Sequence, residues 1–357
     1  MTKCNICQGE LNQIISTQNS VSVSSDNKII KATLFIYKCK ECSHIQKIKD
    51  NQIQKVYEEY KKDDLVEGQD QTKFIDGKPF FRTDILVSTI ISSMKNKKTL
   101  LDIGTGTGVF LLSCNKYLNL DLYAFDLNTR YKSKIEAMEN VKKFYTNDLK
   151  KIDKSFDIIS LIHVFEHIEK PLEALKVLKS KLNKNGIIII QVPSITENPN
   201  DILIYDHYSH FSKNSLFNLL KKVFTNIEFI KTNIKNEITV IIKNDNKKSS
   251  FTQQEEQVDF SFLNKAITYL NNIEKEIYVF GTAPTSTYYA SILNEHNKLK
   301  GFLDEDPLKQ NKTHLDKEIF HPKDLKEIVC FFPLSQNIYN DIKKKYPNIT
   351  FISIQDI

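Results

Sequence analysis

Short apolar runs, each closed by an acid, a glycine or a proline, recur through the middle of this chain and alternate with stretches of helical period. Runs of that kind are the pattern of strands buried on both faces of a parallel sheet. Leu100-Leu101-Asp102-Ile103 comes first, followed by Gly104-Thr105-Gly106-Thr107-Gly108 and a helix opening at Val109-Phe110-Leu111-Leu112. Tyr123-Ala124-Phe125-Asp126 is a second strand ending in an acid, and Tyr145-Thr146-Asn147-Asp148 supplies a third strand-end acid. Residues 156–162 predict a fourth strand, running into His163-Val164-Phe165-Glu166-His167-Ile168. Leu182-Asn183-Lys184-Asn185-Gly186 predicts a helix end with a glycine cap, and residues 187–192 the buried strand after it.

The alternation resumes beyond a polar stretch, residues 244–259, which reads as a linker running into a helix. Strands are predicted at 277–281, 299–303, 328–332 and 349–354, with a helix at 284–294. The turn Gly281-Thr282-Ala283-Pro284 offers backbone amides at a helix N-terminus, a ready anion site. At the front, residues 21–24 and 33–37 alternate in polarity and predict a small antiparallel ribbon. A helix is expected around 80–95. The fold class is therefore α/β: a ribbon over 1–50, a Rossmann-like core over 51–245, and a second small Rossmann-like unit over 260–357.

Cysteine usage changes the picture at the front end. Four of the six cysteines form two knuckles, Cys4-x-x-Cys7 and Cys39-x-x-Cys42. Two-residue spacing lets both thiolates of a knuckle reach one ion, and two knuckles complete a tetrahedral Cys₄ site. A full set leaves no open position, so the expected Zn²⁺ is structural. A ribbon this small cannot bury enough surface to fold alone, whereas zinc supplies about 10–16 kcal/mol of apparent free energy. His44 is an alternative ligand or a packing residue; Cys114 and Cys330 read as small core residues.

The net charge of +6 is spread over lysine doublets and a single triplet, Lys343-Lys344-Lys345, so it predicts a solvated surface and makes nucleic acid unlikely as a partner. No apolar stretch approaches the length of a membrane span, and the first ten residues lack a signal-peptide core. The expected compartment is cytoplasmic, with cysteines as thiols. Oligomeric state is left open.

The glycine turn carries the chemistry. Glycine lets the backbone turn sharply and a ligand approach the peptide groups, as at the strand ends that hold adenosine-bearing cofactors. The pattern is Gly-x-Gly-x-Gly behind Asp102, with Asp126 lying 22 residues after Gly104, where a carboxylate can accept ribose hydroxyls. The segment resembles motif I of the class I S-adenosylmethionine-dependent methyltransferases, and 163–168 resembles their motif IV region. The resemblance implies S-adenosylmethionine as cofactor and Asp102, Gly104, Thr105, Gly106, Gly108, Asp126, Asp148 and His163 as its binding residues. It also implies a lid before motif I that folds over the cofactor, with Tyr57, Tyr60 and Gln69 as candidate pocket residues or, alternatively, ordinary surface and packing side chains.

Acceptor chemistry is densest at Tyr205-Asp206-His207-Tyr208-Ser209-His210-Phe211-Ser212. A histidine near neutral pKa is a natural base, and a neighbouring carboxylate can orient it. His207 is the expected base, with Asp206 or Tyr205 assisting; the alternative is a substrate-binding histidine before a helix capped by Ser212. The order of knuckles, glycine-rich core, Tyr/Asp/His segment and second α/β unit is similar to the bacterial sugar C-methyltransferase family, whose members act on nucleotide-linked deoxysugars. That resemblance implies His207 at the family's base position and Asp206 in place of a glutamate. Ile204 and Tyr205 depart from the family's tyrosine and histidine, and Phe165-Glu166-His167-Ile168 departs from its Ala-His-Ile, so carbon, oxygen and nitrogen all stay open as the methylated atom. The implied acceptor is a nucleotide-linked sugar or surface-glycan precursor. A zinc-ribbon RNA methyltransferase and a non-catalytic S-adenosylmethionine-binding protein are the alternatives.

Overall fold

The structure is a computed structural model and describes residues 3–16, 21–48, 56, 70–75, 78–354 and 356–357. Tyr57, Tyr60, Gln69 and most of the expected lid lie outside these residues.

A seven-stranded sheet forms the centre. Its elements in chain order are α1 (Arg82–Met94), β4 (Thr99–Ile103), α2 (Val109–Tyr117), β5 (Asp121–Phe125), β6 (Val141–Tyr145), β7 (Phe156–Ile162), α3 (Pro171–Ser180), β8 (Leu182–Pro193), α4 (Lys213–Leu220), β10 (Asn226–Ile230) and β11 (Glu237–Lys243). The spatial order is β6-β5-β4-β7-β8-β11-β10, parallel except for β11 and its pairings. The apolar runs have no polar face because both faces are covered. Leu100, Ile158, Ile187 and Ile189 pack on Leu86, Ile90, Phe110 and Leu111, while Leu101, Ile159, Ile188 and Ile190 pack on Leu175, Leu178, Leu216 and Leu219. The winding reverses between β4 and β7, which opens a crevice at their carboxyl ends, where open α/β sheets bind ligands.

The predicted glycine cap before β8 is not formed. Helix α3 ends at Ser180, and the strand begins two residues later at Leu182. The left-handed residue in this segment is Asn185 (φ +59°), an asparagine tolerated there because its short side chain can bond locally.

The front end holds β1 (Leu11–Ser16), β2 (Phe35–Cys39) and β3 (Ile45–Lys47), and its sheet continues into β9 (Ser209–His210) of the core's long loop, in the order β1-β2-β3-β9. The pairs Ser209↔Gln46 and His210↔Ile45 make the ribbon and the Tyr/Asp/His segment one sheet.

After residue 260 come α5 (Ser261–Asn271), β12 (Ile277–Phe280), α6 (Pro284–Glu295), β13 (Leu299–Leu303), β14 (Lys317–Phe320), β15 (Ile328–Phe332), α7 (Gln336–Lys345) and β16 (Ile349–Ser353). Their strands form a separate sheet, β14-β13-β12-β15-β16, all parallel, with Thr313–His314 added antiparallel at the β14 edge. One apolar cluster runs from this unit's Tyr288, Tyr289 and Leu293 into Val23, Ile36 and Tyr205.

Candidate functional site

The glycine loop leaves β4 with φ of +67° at Gly104, +52° at Gly106 and +83° at Gly108. A Cβ on Gly104 would lie 2.4 Å from Val164 Cγ2, so the loop can pack on the segment after β7 only as glycine. A Cβ on Gly106 would meet nothing nearer than 4.0 Å, which leaves the loop open on that side. Gly106 N donates to Asp126 Oδ2 at 2.9 Å and Asn128 N to Asp126 Oδ1 at 2.8 Å, fixing the second strand-end acid against the loop. Burial raises the Asp126 pKa, and those amides oppose the rise. The Thr105 and Thr107 hydroxyls are buried and have no hydrogen-bond partner among the described residues. Unsatisfied buried hydroxyls beside an open glycine turn fit a polar ligand. Leu127 is 73% exposed next to Asp126 and adds an apolar face. Asp102 is buried and accepts from Ser160 Oγ at 2.7 Å; Asp148 caps a short turn through Lys150 N at 2.9 Å.

His163 follows β7 directly, in the left-handed region (φ +55°). Its Nδ1 lies 3.4 Å from Glu166 Oε1 and its Nε2 3.2 Å from Glu237 Oε2, and Glu237 also faces Arg82 at 3.6 Å. Burial and Arg82 would depress the imidazole, but the two carboxylates hold it above the ordinary histidine range. Burial likewise opposes ionisation of Glu237, yet His163 and Arg82 bring its pKa down to about 2. His163 therefore joins the glycine-loop edge to the acidic groups behind it.

Those groups form a buried histidine–carboxylate cluster. His207 Nδ1 pairs with Asp201 Oδ1 at 2.9 Å and His210 Nδ1 with Asp201 Oδ2 at 2.7 Å, so one carboxylate orients two rings. The His207 and His167 rings meet edge to face at 4.7 Å. Desolvation pulls His207 down, but Asp201 first, then Glu166 and Asp206, hold it above its ordinary value. Burial lowers His210 to about 4. Lys47 reaches in from the ribbon, its ammonium donating to the Ile204 carbonyl, and burial brings its pKa down to about 7 against the pull of Asp201 and Asp206.

The expected helpers of His207 are placed differently. The Asp206 carboxylate accepts from Ser25 N at 2.8 Å and Ser25 Oγ at 2.6 Å, and lies 3.4 Å from His167 Nδ1. Tyr205 is buried in the apolar cluster with its backbone N–H on the Val23 carbonyl at 2.7 Å. Neighbouring residues project in different directions from a tight backbone, so adjacency in sequence did not make Asp206 or Tyr205 the partner of His207. Asp201, six residues earlier on the short 3₁₀ turn Pro199–Leu203, takes that place. Its sequence signal is an acid directly before the apolar run Ile202-Leu203-Ile204.

At the front, Cys4, Cys7, Cys39 and Cys42 bring their sulfurs within 4.8 Å of one another, with Cys4–Cys42, Cys7–Cys39 and Cys7–Cys42 at 3.4 to 3.6 Å. Ile6 N and Gly9 N each point at a knuckle sulfur at 3.4 Å. A tetrahedral Cys₄ zinc site with 2.3 Å bonds needs sulfurs about 3.8 Å apart, so this donor set fits that ion. His44 is fully buried and packs on Phe211 at 5.4 Å, outside the sulfur cluster. Cys114 and Cys330 are buried in separate apolar clusters. In the last unit, Thr282 Oγ1 and Lys309 Nζ both bond Asp304 Oδ2, at 2.8 and 3.3 Å, around the Gly281 turn.

Comparison with known proteins bears on the core. Residues 84–226 match a family model described as a methyltransferase domain. Over 109 residues the chain is 27% identical to a tRNA U34 carboxymethyltransferase of Campylobacter jejuni, covering 29% of this chain and 38% of that protein. The chain thus matches under two fifths of the length of these curated relatives. Among solved structures, an S-adenosylmethionine-dependent methyltransferase from Clostridium acetobutylicum is 13% identical with a TM-score of 0.37, over 45% of this chain and 89% of that one. One from Archaeoglobus fulgidus is 20% identical with a TM-score of 0.37, over 45% and 92%. The family match describes residues 84–226, about two fifths of the chain, as a methyltransferase domain, and the sheet order and the glycine turn agree with it.

Proposed function

We propose that this protein transfers a methyl group from S-adenosylmethionine to a small-molecule acceptor, a nucleotide-linked sugar or surface-glycan precursor. The observation that carries the reading is the junction at β7. The open glycine loop with Asp126 lies on one side of residues 163–167, and a buried, charge-balanced His207–Asp201 pair lies on the other. The bound cofactor supplies a sulfonium methyl group, an electrophile that needs no activation by the protein. What the chain supplies is alignment and proton removal. Asp201 holds the His207 Nδ1–H, which leaves Nε2 to take the proton the acceptor loses and lets the carboxylate stabilise the cation that forms.

Asp126 is assigned to the ribose hydroxyls, Thr105, Thr107 and the loop amides to the amino-acid end, and Asp102 and Asp148 to the floor and far rim of the same crevice. The sugar class rests on the order of sequence features along the whole chain. The tRNA-modifying relatives share only part of this chain with it and bring no acceptor with them. Cys4, Cys7, Cys39 and Cys42 are assigned to one structural Zn²⁺. Units 1–50, 51–245 and 260–357 are assigned to ribbon, transferase core and substrate nucleotide or phosphate, the last because the Gly281 turn opens α6 beside Lys309.

The test is transfer from labelled S-adenosylmethionine to a panel of nucleotide-linked keto-, amino- and hydroxy-sugars, with products fragmented by mass spectrometry. A methylated sugar is expected, and its fragments locate the new group. Transfer only to RNA, or cofactor binding without transfer to any acceptor, overturns the reading.

A further inference from the structure

The acid that orients His207 sits on a turn that the core does not hold alone. Pro199–Leu203 is a 3₁₀ turn, and successive side chains on such a turn point about 120° apart. Asp201 therefore faces the His207 and His210 rings while Asn200, one residue earlier, faces the unit after residue 260. Asn200 is 4% exposed, and both ends of its amide are engaged there. Its Oδ1 accepts from the Tyr289 hydroxyl in α6 at 2.8 Å, and its Nδ2 donates to the Pro333 carbonyl, just past β15, at 3.2 Å. A carbonyl can only accept, so Pro333 fixes which way round the amide lies.

Both anchors are held firmly. Tyr289 is fully buried in α6, its ring set edge to face against Tyr288 at 5.1 Å and Phe331 at 5.4 Å. Pro333 continues β15, which lies inside its sheet between β12 and β16. On the core side, backbone bonds close the turn on itself: Asp201 N donates to the Asn198 carbonyl and Ile204 N to the Asp201 carbonyl, both at 3.1 Å. Those bonds set the shape of the turn and leave its rotation to the side chains. A small rotation about Asn200 would carry both Asp201 oxygens away from their rings at once.

We propose that Asn200 and Tyr289 are positioning residues, through which the C-terminal unit holds Asp201 against His207 and His210. Their bearing on methyl transfer rests on the reading of His207 as base, whereas the hold on Asp201 does not. The two are tested separately: the base by transfer in His207→Ala, the hold by a titration that needs no acceptor.

That titration follows the imidazole resonances of isotope-labelled histidine in the full chain, prepared with zinc, as the pH is varied. His207 is faced by Asp201 from the turn, by Glu166 and His167 from the segment after β7, by Asp206 from its own loop and by His210 from β9, while Lys47 of β3 faces Asp201. Tyr289→Phe, which removes a single hydroxyl, and Asn200→Ala should each lower the His207 midpoint and shift its neutral ring from the Nδ1–H form toward the Nε2–H form. His210 should move in the same direction, because it shares the carboxylate. His163, held by Glu166 and Glu237, should stay in place, which a general loosening would not allow. Asp201→Asn marks the limit of the change, and the two variants should reach part of it. Tyr289→Phe decides alone if Asn200→Ala does not fold. An unmoved His207 overturns the proposal, and so does a shift of His163 as large as that of His207.

Discussion

The two halves of the crevice are built by different routes. On the cofactor side, Gly104, Gly106 and Asp126 come from one βαβ unit, and the hydrogen bonds that tie the glycine loop to the next strand, Gly106 to Asp126 and Gly104 to the Phe125 carbonyl, span only 20 and 21 residues. On the acceptor side, Ser25 bonds Asp206 across 181 residues and Lys47 bonds the Ile204 carbonyl across 157. The cysteine ribbon therefore walls the cluster proposed as the acceptor site: its sheet ends in β9, and its Ser25 and Lys47 brace the loop that carries His207. A local half can hold its shape when a distant part of the chain fails, whereas a half closed by long loops depends on whatever pins their ends.

Removing the pin is the strongest way to test that contrast. On the proposed zinc assignment, replacing Cys39 and Cys42 with serine, or treating the protein with a chelator, should unfold the ribbon, because zinc supplies about 10–16 kcal/mol to sites of this kind. Amide exchange should then accelerate over residues 201–211 and stay slow in β4 and β7. Equal acceleration in both regions would dissolve the distinction. Gly104→Ala strikes the other half. A Cβ 2.4 Å from Val164 on a residue at φ +67° should cost about 1–3 kcal/mol, and calorimetry should show S-adenosylmethionine affinity falling at least tenfold.

Comparing Asp201→Asn with Asp206→Asn sharpens the division within the acceptor half. The first should lower methyl transfer by about 10²-fold or more with cofactor affinity intact. The second should lower it less, because Asp206 acts through Ser25 and His167. The reverse ranking in single-turnover rates would restore Asp206 as partner of His207. Asp126→Ala should weaken cofactor binding by about 10–100-fold, the worth of a hydrogen bond to a charged group.

The smallest effect concerns the join between the halves. Glu237 has its pKa depressed from 4.5 to about 2, so its pairing with His163 and Arg82 contributes stability that is present above about pH 4.5 and lost as the pH falls toward 2. Glu237→Gln should lower the melting temperature at pH 6 and converge on the parent protein near pH 2. A constant offset across that range would refute the linkage.

Much of this protein was legible in its sequence because the physics involved is local. Strands buried on both faces read as continuous apolar runs, and the Gly104 turn announces itself because few residues tolerate three left-handed positions in five. Paired cysteines two residues apart predict a shared ion from chain geometry alone. The Gly186 cap failed because the helix stopped earlier and an asparagine took the left-handed turn.

What the chain order did not carry is who faces whom. Adjacency suggested Asp206 for His207, but the carboxylate that meets the ring sits six residues away, and Asp206 turns to a serine of the ribbon. Glu166 carried no sequence signal beyond its place in the motif IV region, and only packing buries it among three histidines. Strands, turns and knuckles follow from interactions within a few residues. The partners of a buried charge are chosen by the closing of long loops, and only the tertiary structure decided them.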